Sequence, residues 1–88
     1  MLWRYIVEHK LLILSVDNRV AAASKIQEIF TKDGCIIKTR IGLHEGVLDK
    51  CSNKGIIILE LVGEKKDHDA LVTRLDQLEG VKSQFVKL

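Results

Sequence analysis

The chain has 88 residues, 47% of them hydrophobic and 30% charged, a balance that excludes a disordered tail and is typical of one small globular domain. Its 14 basic and 12 acidic residues leave a net charge of +2 and are dispersed, so no basic block can follow a phosphate backbone and we expect no direct contact with nucleic acid. The two cysteines form no CxxC pair, which is typical of a reducing cytoplasm.

Two segments precede the first predicted helix. Residues 1–9 hold the only tryptophan and tyrosine, and Trp3, Tyr5 and Val7 alternate, which favours an N-terminal arm or an extra strand outside the main domain. Residues 10–16 are apolar on both faces, as in a central strand. This run is too short for a secretory signal or for a membrane span of about 20 apolar residues. We therefore expect a cytoplasmic protein with no membrane contact.

A helix is predicted from about residue 19 to Lys32, because apolar residues recur there every three or four positions. Asp17 or Asn18 is expected to cap its first turn with a side-chain oxygen. Gly34 is expected to end the helix, because glycine readily adopts the left-handed backbone of a helix C-terminus. The apolar stripe consists of Ala22, Ala23, Ile26, Ile29 and Phe30.

Residues 35–43 alternate and are predicted to form an edge strand. Lys38 and Arg40 would share one face of it, where charged side chains protect an exposed edge from pairing with other chains. The next eleven residues, 44–54, are predicted to be a connection that leads back into the sheet.

Residues 55–62, Gly-Ile-Ile-Ile-Leu-Glu-Leu-Val, are too few and too β-branched to favour a helix, and we interpret them as the central strand. One face of this strand is wholly apolar. The other face carries Glu60 as its only charge. Both faces therefore need to be covered.

A second helix is predicted after residue 63, with Asp67 as its cap and Gly80 as its end. Residues 81–88 follow as a weaker strand that still contains several β-forming side chains. The helix presents one stripe that consists of His68, Leu71, Val72, Leu75 and Leu78.

The predicted order is strand, helix, strand, strand, helix, strand. This is the α+β, ferredoxin-like βαββαβ sandwich, which has an antiparallel sheet of order 4-1-3-2 and two helices on one face. The domain spans residues 10–88. Its other face is too apolar to remain in water, so we expect a homo-oligomer, a dimer or a tetramer, that buries it. That face is predicted to contain Leu11, Ile13, Ile36, Lys38, Arg40, Ile56, Ile58, Glu60 and Val62.

Several short motifs also resemble those of an ACT-like domain. They are Leu-Ser-Val-Asp-Asn-Arg at 14–19, the Ile26, Ile29 and Phe30 stripe, Gly-Cys-Ile-Ile at 34–37, and Leu75 with Leu-Glu-Gly-Val at 78–81. Over residues 10–88 the chain is similar to proteins described as iron-only hydrogenase system regulators, with Arg-Ile-Gly at 40–42 and Gly-Ile-Ile at 55–57 in the expected places.

The resemblance implies a regulatory role toward hydrogenase, through a protein partner, and implies no reaction. ACT domains generally bind amino acids or similar small effectors at interfaces, through the loop after the first strand. Here that loop, residues 17–20, lacks the glycine that lets backbone amides approach a ligand.

We hypothesise an effector site at the subunit contact. Arg40 would neutralise an anion, Gly42 would allow close backbone approach, and His44 would supply a donor or a ligand atom. A cross-strand ion pair of these cations with Glu60, or simple protection of the edge, is the structural alternative. The supporting residues in this hypothesis are Lys38, Glu60 and Asp17.

Two other functions remain open. Imidazole and thiolate suit zinc, nickel or iron, so His44 and Cys51 form a candidate pair for a metal-sensing module. A ligand-free assembly domain is the third alternative. We do not expect an enzyme, because the sequence has no histidine beside a nucleophile and no glycine-rich phosphate loop.

Overall fold

The computed structural model describes residues 8–47 and 50–88, in which four strands and two helices follow one another as strand, helix, strand, strand, helix, strand. Its description of side chains leaves out residues 19–20 and 43–53. A short 3-10 turn, Gly34–Ile36, follows the first helix. The strands are β1 (Lys10–Val16), β2 (Ile37–Val47), β3 (Lys50–Leu61) and β4 (Val81–Lys87), and the helices are α1 (Arg19–Lys32) and α2 (Lys65–Asp76).

The strands form one antiparallel sheet in the order β2-β3-β1-β4. The predicted ferredoxin-like α+β fold and its 4-1-3-2 strand order are therefore confirmed. The two most apolar strands, β1 and β3, lie in the middle of the sheet, where both of their edges are hydrogen-bonded. None of the helices in the described residues is long and apolar enough to cross a bilayer.

The core lies between the sheet and the two helices, on the surface that we call the helix side of the sheet. Leu12, Leu14 and Leu59 are fully buried there, because alternate strand residues point to the same face. Burying each leucine side chain stabilises the fold by about 1.5–3 kcal/mol. The other core residues are Val16, Ala22, Ile26, Phe30, Leu61, Leu71, Leu75 and Val81.

Local hydrogen bonds determine how α1 begins and ends. The Oδ1 atom of Asn18 accepts a hydrogen bond from the backbone N–H of Ala21 at 3.2 Å, so Asn18 is the cap. The prediction that Gly34 ends the helix in a left-handed conformation is wrong. Asp33 is the C-terminal cap, and Gly34 enters the 3-10 turn, where no positive φ is needed.

The second helix begins earlier than predicted. Glu64 occupies the N-cap position, so the expectation that Asp67 caps this helix is wrong. Asp67 lies within the first turn, where its negative charge is favourable beside the positive end of the helix dipole. The helix ends at Asp76, and Gly80, with φ of 76°, shapes the turn that leads into β4.

Strands β2 and β3 are longer than predicted and form an extended hairpin. Their pairing continues past the end of β1, through Gly46 opposite Cys51 to Val47 opposite Lys50. The prediction of a connection over residues 44–54 is therefore wrong. Partners in a hairpin are neighbours along the chain, so backbone pairing can continue where the composition is polar.

A β-bulge in the edge strand changes which side chains face the helices. Ile37 lies opposite Leu61 and Thr39 lies opposite Glu60, so Lys38 is an extra residue in β2. Strict alternation along the sequence is interrupted at such a residue. Arg40 accordingly lies on the helix side, opposite Leu59, and its predicted place on the uncovered face is wrong.

The opposite surface of the sheet, which we call the open face, is largely apolar, and neither of the described helices lies over it, as predicted. Ile41, Ile56 and Val62 remain 49%, 38% and 42% exposed there. Ile36 is an exception to the prediction, since it lies in the 3-10 turn and packs against the core. From the strand register, the described members of the open face are Leu11, Ile13, Ser15, Thr39, Ile41, Ile56, Ile58, Glu60, Val62, Lys82, Gln84 and Val86.

The predicted N-terminal arm falls largely outside the described residues, which begin at Glu8. Within them, the pairing of β1 with β4 continues one residue further. The backbone N–H of His9 donates to the carbonyl of Leu88 at 3.2 Å, and the N–H of Leu88 donates to the carbonyl of His9 at 2.8 Å. His9 is therefore continuous with the sheet.

Candidate functional site

A cavity of about 670 Å³ lies between α1 and the β2–β3 hairpin, on the helix side of the sheet. Its volume is within the range of small-molecule sites, roughly 300–1,000 Å³. One wall comes from α1 and the other from the sheet at the level where β1 ends. The residues that line it are Val16, Ala23, Ser24, Ile26, Gln27, Arg40, Gly42, Gly55, Ile56 and Ile57.

Small residues keep this cavity open. Gly42 lies opposite Ile57, and Gly55 lies two residues before Ile57 on β3, so the two glycines are diagonal neighbours on the helix side. A Cβ atom added at Gly42 would meet nothing within 4 Å. On the opposite wall, Ala23 and Ser24 are short side chains. The cavity therefore exists because one wall carries two glycines and the other carries two short side chains.

Arg40 is held at the edge of this cavity by two contacts with α1. Its guanidinium carbon lies 4.8 Å from the centroid of the Phe30 ring, a cation–π arrangement. Its Nη1 atom donates a hydrogen bond to Oε1 of Gln27 at 2.9 Å. Among the residues whose side chains are described, no carboxylate lies within 4 Å of the guanidinium. The positive charge is thus oriented by the fold without being paired to an acid in this part of the chain.

A second polar group lies on the open face around Glu60. The Oε2 atom of Glu60 lies 2.9 Å from Nδ1 of His9, and the Thr39 hydroxyl donates to Oε1 at 3.5 Å. The hydrogen bond with His9 holds the pKa of the Glu60 carboxyl below its usual value. Desolvation opposes this shift, while the charge of Lys38 reinforces it. Glu60 is therefore an anion on the largely apolar open face.

Asp17 lies apart from both groups. Its backbone N–H donates to the carbonyl of Gly80 at 2.9 Å and ties the loop after β1 to the turn before β4. Beside these loops lies another cavity, of about 730 Å³, with a more polar lining that includes Asn18, Gln77 and Glu79.

The six residues of the hypothesised effector site are therefore not brought together in one place. Arg40 and Gly42 share the cavity on the helix side, while Lys38 and Glu60 lie on the open face. Asp17 lies in the loop after β1. His44 pairs with Gly55 in the hairpin, and its side chain is outside the described set.

The candidate metal pair stays a prediction. His44 and Cys51 lie on paired strands and not in a loop, with Cys51 opposite Gly46. The side chains of both residues are among those that the structure does not describe. The residues whose side chains are described include no group of three His, Cys, Asp or Glu side chains that could hold a metal ion.

Sequence reasoning missed Gln27 and His9. Gln27 is not part of the apolar stripe predicted for this helix, yet it is the hydrogen-bond partner of Arg40. His9 was assigned to an arm, yet it binds Glu60.

No protein-family model matches this chain, and no curated protein matches it. Among solved structures, it is similar to an uncharacterized protein from Thermotoga maritima, with 26% identity over 93% of this chain and 99% of that chain and a TM-score of 0.76. A protein from Thermus thermophilus described as PII-like signalling is 13% identical over 93% and 88% of the two chains, with a TM-score of 0.64.

CPII from Thiomonas intermedia, a nitrogen regulatory PII-like protein, was solved bound to ADP, AMP and bicarbonate. It is 11% identical over 93% of each chain, with a TM-score of 0.59. Likenesses at this identity establish that the fold is shared. The chain thus has the fold of small PII-like proteins along nearly its whole length.

Proposed function

We propose that this chain is a small, non-enzymatic regulatory domain of the cytoplasm that self-associates through its open face and binds a small effector. The observation that carries the proposal is the exposure of Ile41, Ile56 and Val62 on one continuous face. Apolar surface of this kind on so small a domain is a typical site of association. The fold shared with PII-like signalling proteins supports a regulatory role.

The chemistry of the open face favours a second copy of the chain as the occupant. The face carries both signs of charge, with Lys38 close enough to Glu60 to affect its pKa. In a two-fold symmetric contact each surface meets itself, so Lys38 of one copy can approach Glu60 of the other. The surrounding aliphatic side chains then supply the apolar area that a stable contact needs.

The resemblance of residues 10–88 to iron-only hydrogenase system regulators supports a role in hydrogenase regulation through a protein partner. The domain would act by changing its assembly or its partner contacts when the effector binds, since a ligand can shift only an equilibrium whose states it binds unequally. We propose no chemical step on the effector.

The test is the mass in solution, measured by light scattering over a range of concentrations. The wild-type chain is expected to be a dimer or a tetramer, and Ile41→Glu is expected to be a monomer, because it buries a charge in the contact. Phe85→Glu is the matched control, since Phe85 is 43% exposed but belongs to the helix side, opposite Leu12. It should leave the mass unchanged.

Two results would overturn the proposal. One is a wild-type monomer at high concentration. The other is an oligomer that Ile41→Glu leaves intact while its circular dichroism spectrum shows a folded chain. Either result would mean that the open face is not the surface of association.

A further inference from the structure

We infer that the cavity between α1 and the β2–β3 hairpin binds a small carboxylate with an apolar body, and that Arg40 binds its carboxylate group. The inference rests on the proposed function and names the class of its effector. It also changes the location of the site. The sequence predicted a site between subunits, whereas this cavity lies within one chain.

The lining of the cavity combines an apolar floor with a few convergent polar groups. Val16, Ile26 and Ile57 supply hydrophobic surface, and Gln27 and Ser24 supply an amide and a hydroxyl. Small-molecule sites typically have this composition, in which apolar walls give affinity and a few polar groups fix orientation. A ligand that matches it has a hydrocarbon or aromatic body and one polar end.

Arg40 is suited to bind that polar end. A guanidinium group has five N–H donors, and one of them donates to Gln27. The stacking on Phe30 restricts the side chain before any ligand arrives, so less conformational entropy is lost on binding. The remaining donors can form a bidentate pair with a carboxylate.

The charge of the site favours a carboxylate over a nucleoside diphosphate. Arg40 is the only charged residue among the described residues that line the cavity. One cation matches the charge of one carboxylate, whereas a diphosphate brings several negative charges into a largely apolar cavity. Unpaired charge in such an environment is costly to desolvate.

The open space beside Gly42 provides a way to fill the cavity. A Cβ atom there meets nothing within 4 Å, and the backbone of Gly42 has no positive φ, so a larger residue can be accommodated without strain. Gly42→Val would therefore occupy ligand volume and leave the fold intact. This variant tests the cavity without altering the charge.

The experiment is isothermal titration calorimetry with phenylacetate and 4-methyl-2-oxopentanoate as probes, and with acetate and ADP for comparison. Both apolar carboxylates are expected to bind the wild-type chain, with acetate weaker by about tenfold or more because it lacks the apolar body. Arg40→Met should reduce their affinity by about tenfold or more, the effect of losing a charge-assisted hydrogen bond. Gly42→Val should abolish binding.

Lys38→Met is the matched control for Arg40→Met. It removes the same charge from the neighbourhood but on the open face, so it should change the affinity by less than about twofold, as expected for a separate site. Circular dichroism would confirm that each variant is folded. Equal losses in Arg40→Met and Lys38→Met would overturn the inference, because they would show attraction to net charge alone.

Three other outcomes would also overturn it. They are the absence of binding by either apolar carboxylate at millimolar concentration, binding that survives in Gly42→Val, and tighter binding of ADP than of the carboxylates. The mass in solution is measured without any ligand. The proposed self-association is therefore judged by its own experiment, whatever the binding experiment shows. Absence of any ligand would favour the ligand-free assembly domain.

Discussion

Arg74 donates two hydrogen bonds to the carboxylate of Asp33 and so joins the C-terminal ends of α1 and α2. Asp33 is only 14% exposed, whereas Arg74 is 39% exposed. We predict that Arg74→Met lowers the free energy of unfolding by about 1 kcal/mol, because a bidentate pair contributes more than an ordinary surface pair. Urea denaturation measures the change.

The control for this variant is Lys65→Met. It breaks the exposed pair between Lys65 and Asp69, which are separated by one helical turn. That loss should amount to less than about 0.5 kcal/mol. If Arg74→Met and Lys65→Met lower the free energy of unfolding by the same amount, the pair between the helix ends stabilises the fold no more than an exposed surface pair does.

We predict that His68→Leu lowers the free energy of unfolding by about 0.5–1.5 kcal/mol, the usual net contribution of one hydrogen bond, which here is made by a buried side chain. His68 is 2% exposed, and its Nε2 atom lies 2.8 Å from the carbonyl oxygen of Val62. Since a carbonyl only accepts, Nε2 carries the proton. His68→Gln, which can present an amide donor at a similar distance, should recover part of the loss in the same denaturation experiment.

If His68→Gln proves no better than His68→Leu, the hydrogen bond contributes little. The cost would then come from packing alone, which includes the contact with Phe85, whose ring centroid lies 6.2 Å away.

The two turn glycines Gly80 and Gly34 should respond oppositely to alanine. Gly80 has φ of 76°, and an added Cβ would lie 3.4 Å from Cβ of Asp17, so Gly80→Ala should lower stability by about 1 kcal/mol or more. Gly34 has no positive φ and open space around it, so Gly34→Ala should leave stability unchanged or raise it by up to about 1 kcal/mol. Thermal unfolding of both variants measures the contrast, and equal losses would contradict it.

Glu60 should make the fold sensitive to acid. Its pKa lies below the usual value of 4.5 in the folded chain, chiefly because of the hydrogen bond with His9. Between the folded and unfolded pKa values of Glu60, the folded chain binds fewer protons than the unfolded chain. The contribution of Glu60 to stability is therefore fully present above pH 4.5 and is lost as the pH falls through this window. We predict that the unfolding temperature of Glu60→Gln falls less steeply below about pH 4.5 than that of the wild type.

His9→Ala should shift the acid profile toward that of Glu60→Gln, because it removes the largest cause of the lowered pKa. Thermal scans at matched ionic strength compare the three chains. An acid profile in Glu60→Gln identical to that of the wild type would show that Glu60 does not contribute to this sensitivity.

The sequence was sufficient to predict the order and type of the secondary-structure elements. Apolar alternation in 10–16 and apolar spacing in α1 are strong local signals, and the connections they imply admit few topologies. The apolar character of the open face was also predictable, because it follows from alternate residues of the two central strands.

The bulge at Lys38 was harder to predict, because it depends on pairing with β3 and not on the composition of β2. The length of the hairpin was hard to predict for the same reason. Its polar residues have the composition of a loop, and only their pairing with the other strand shows that they are extended. Arg40 was therefore predicted on the wrong face, and its partner Gln27 could not be identified.

The bulge also makes Lys38 a position of the edge strand where the chain can lose one residue without turning over the side chains that follow. A gene that lost this codon would join Ile37 directly to Thr39, and the two strands would then pair residue for residue from Leu61 to Leu59. Arg40 would still reach the cavity. Loss of a codon further along the strand would instead turn over every side chain between that point and the next irregularity, so a deletion at the bulge disturbs fewer side chains than a deletion in the regular part of the strand.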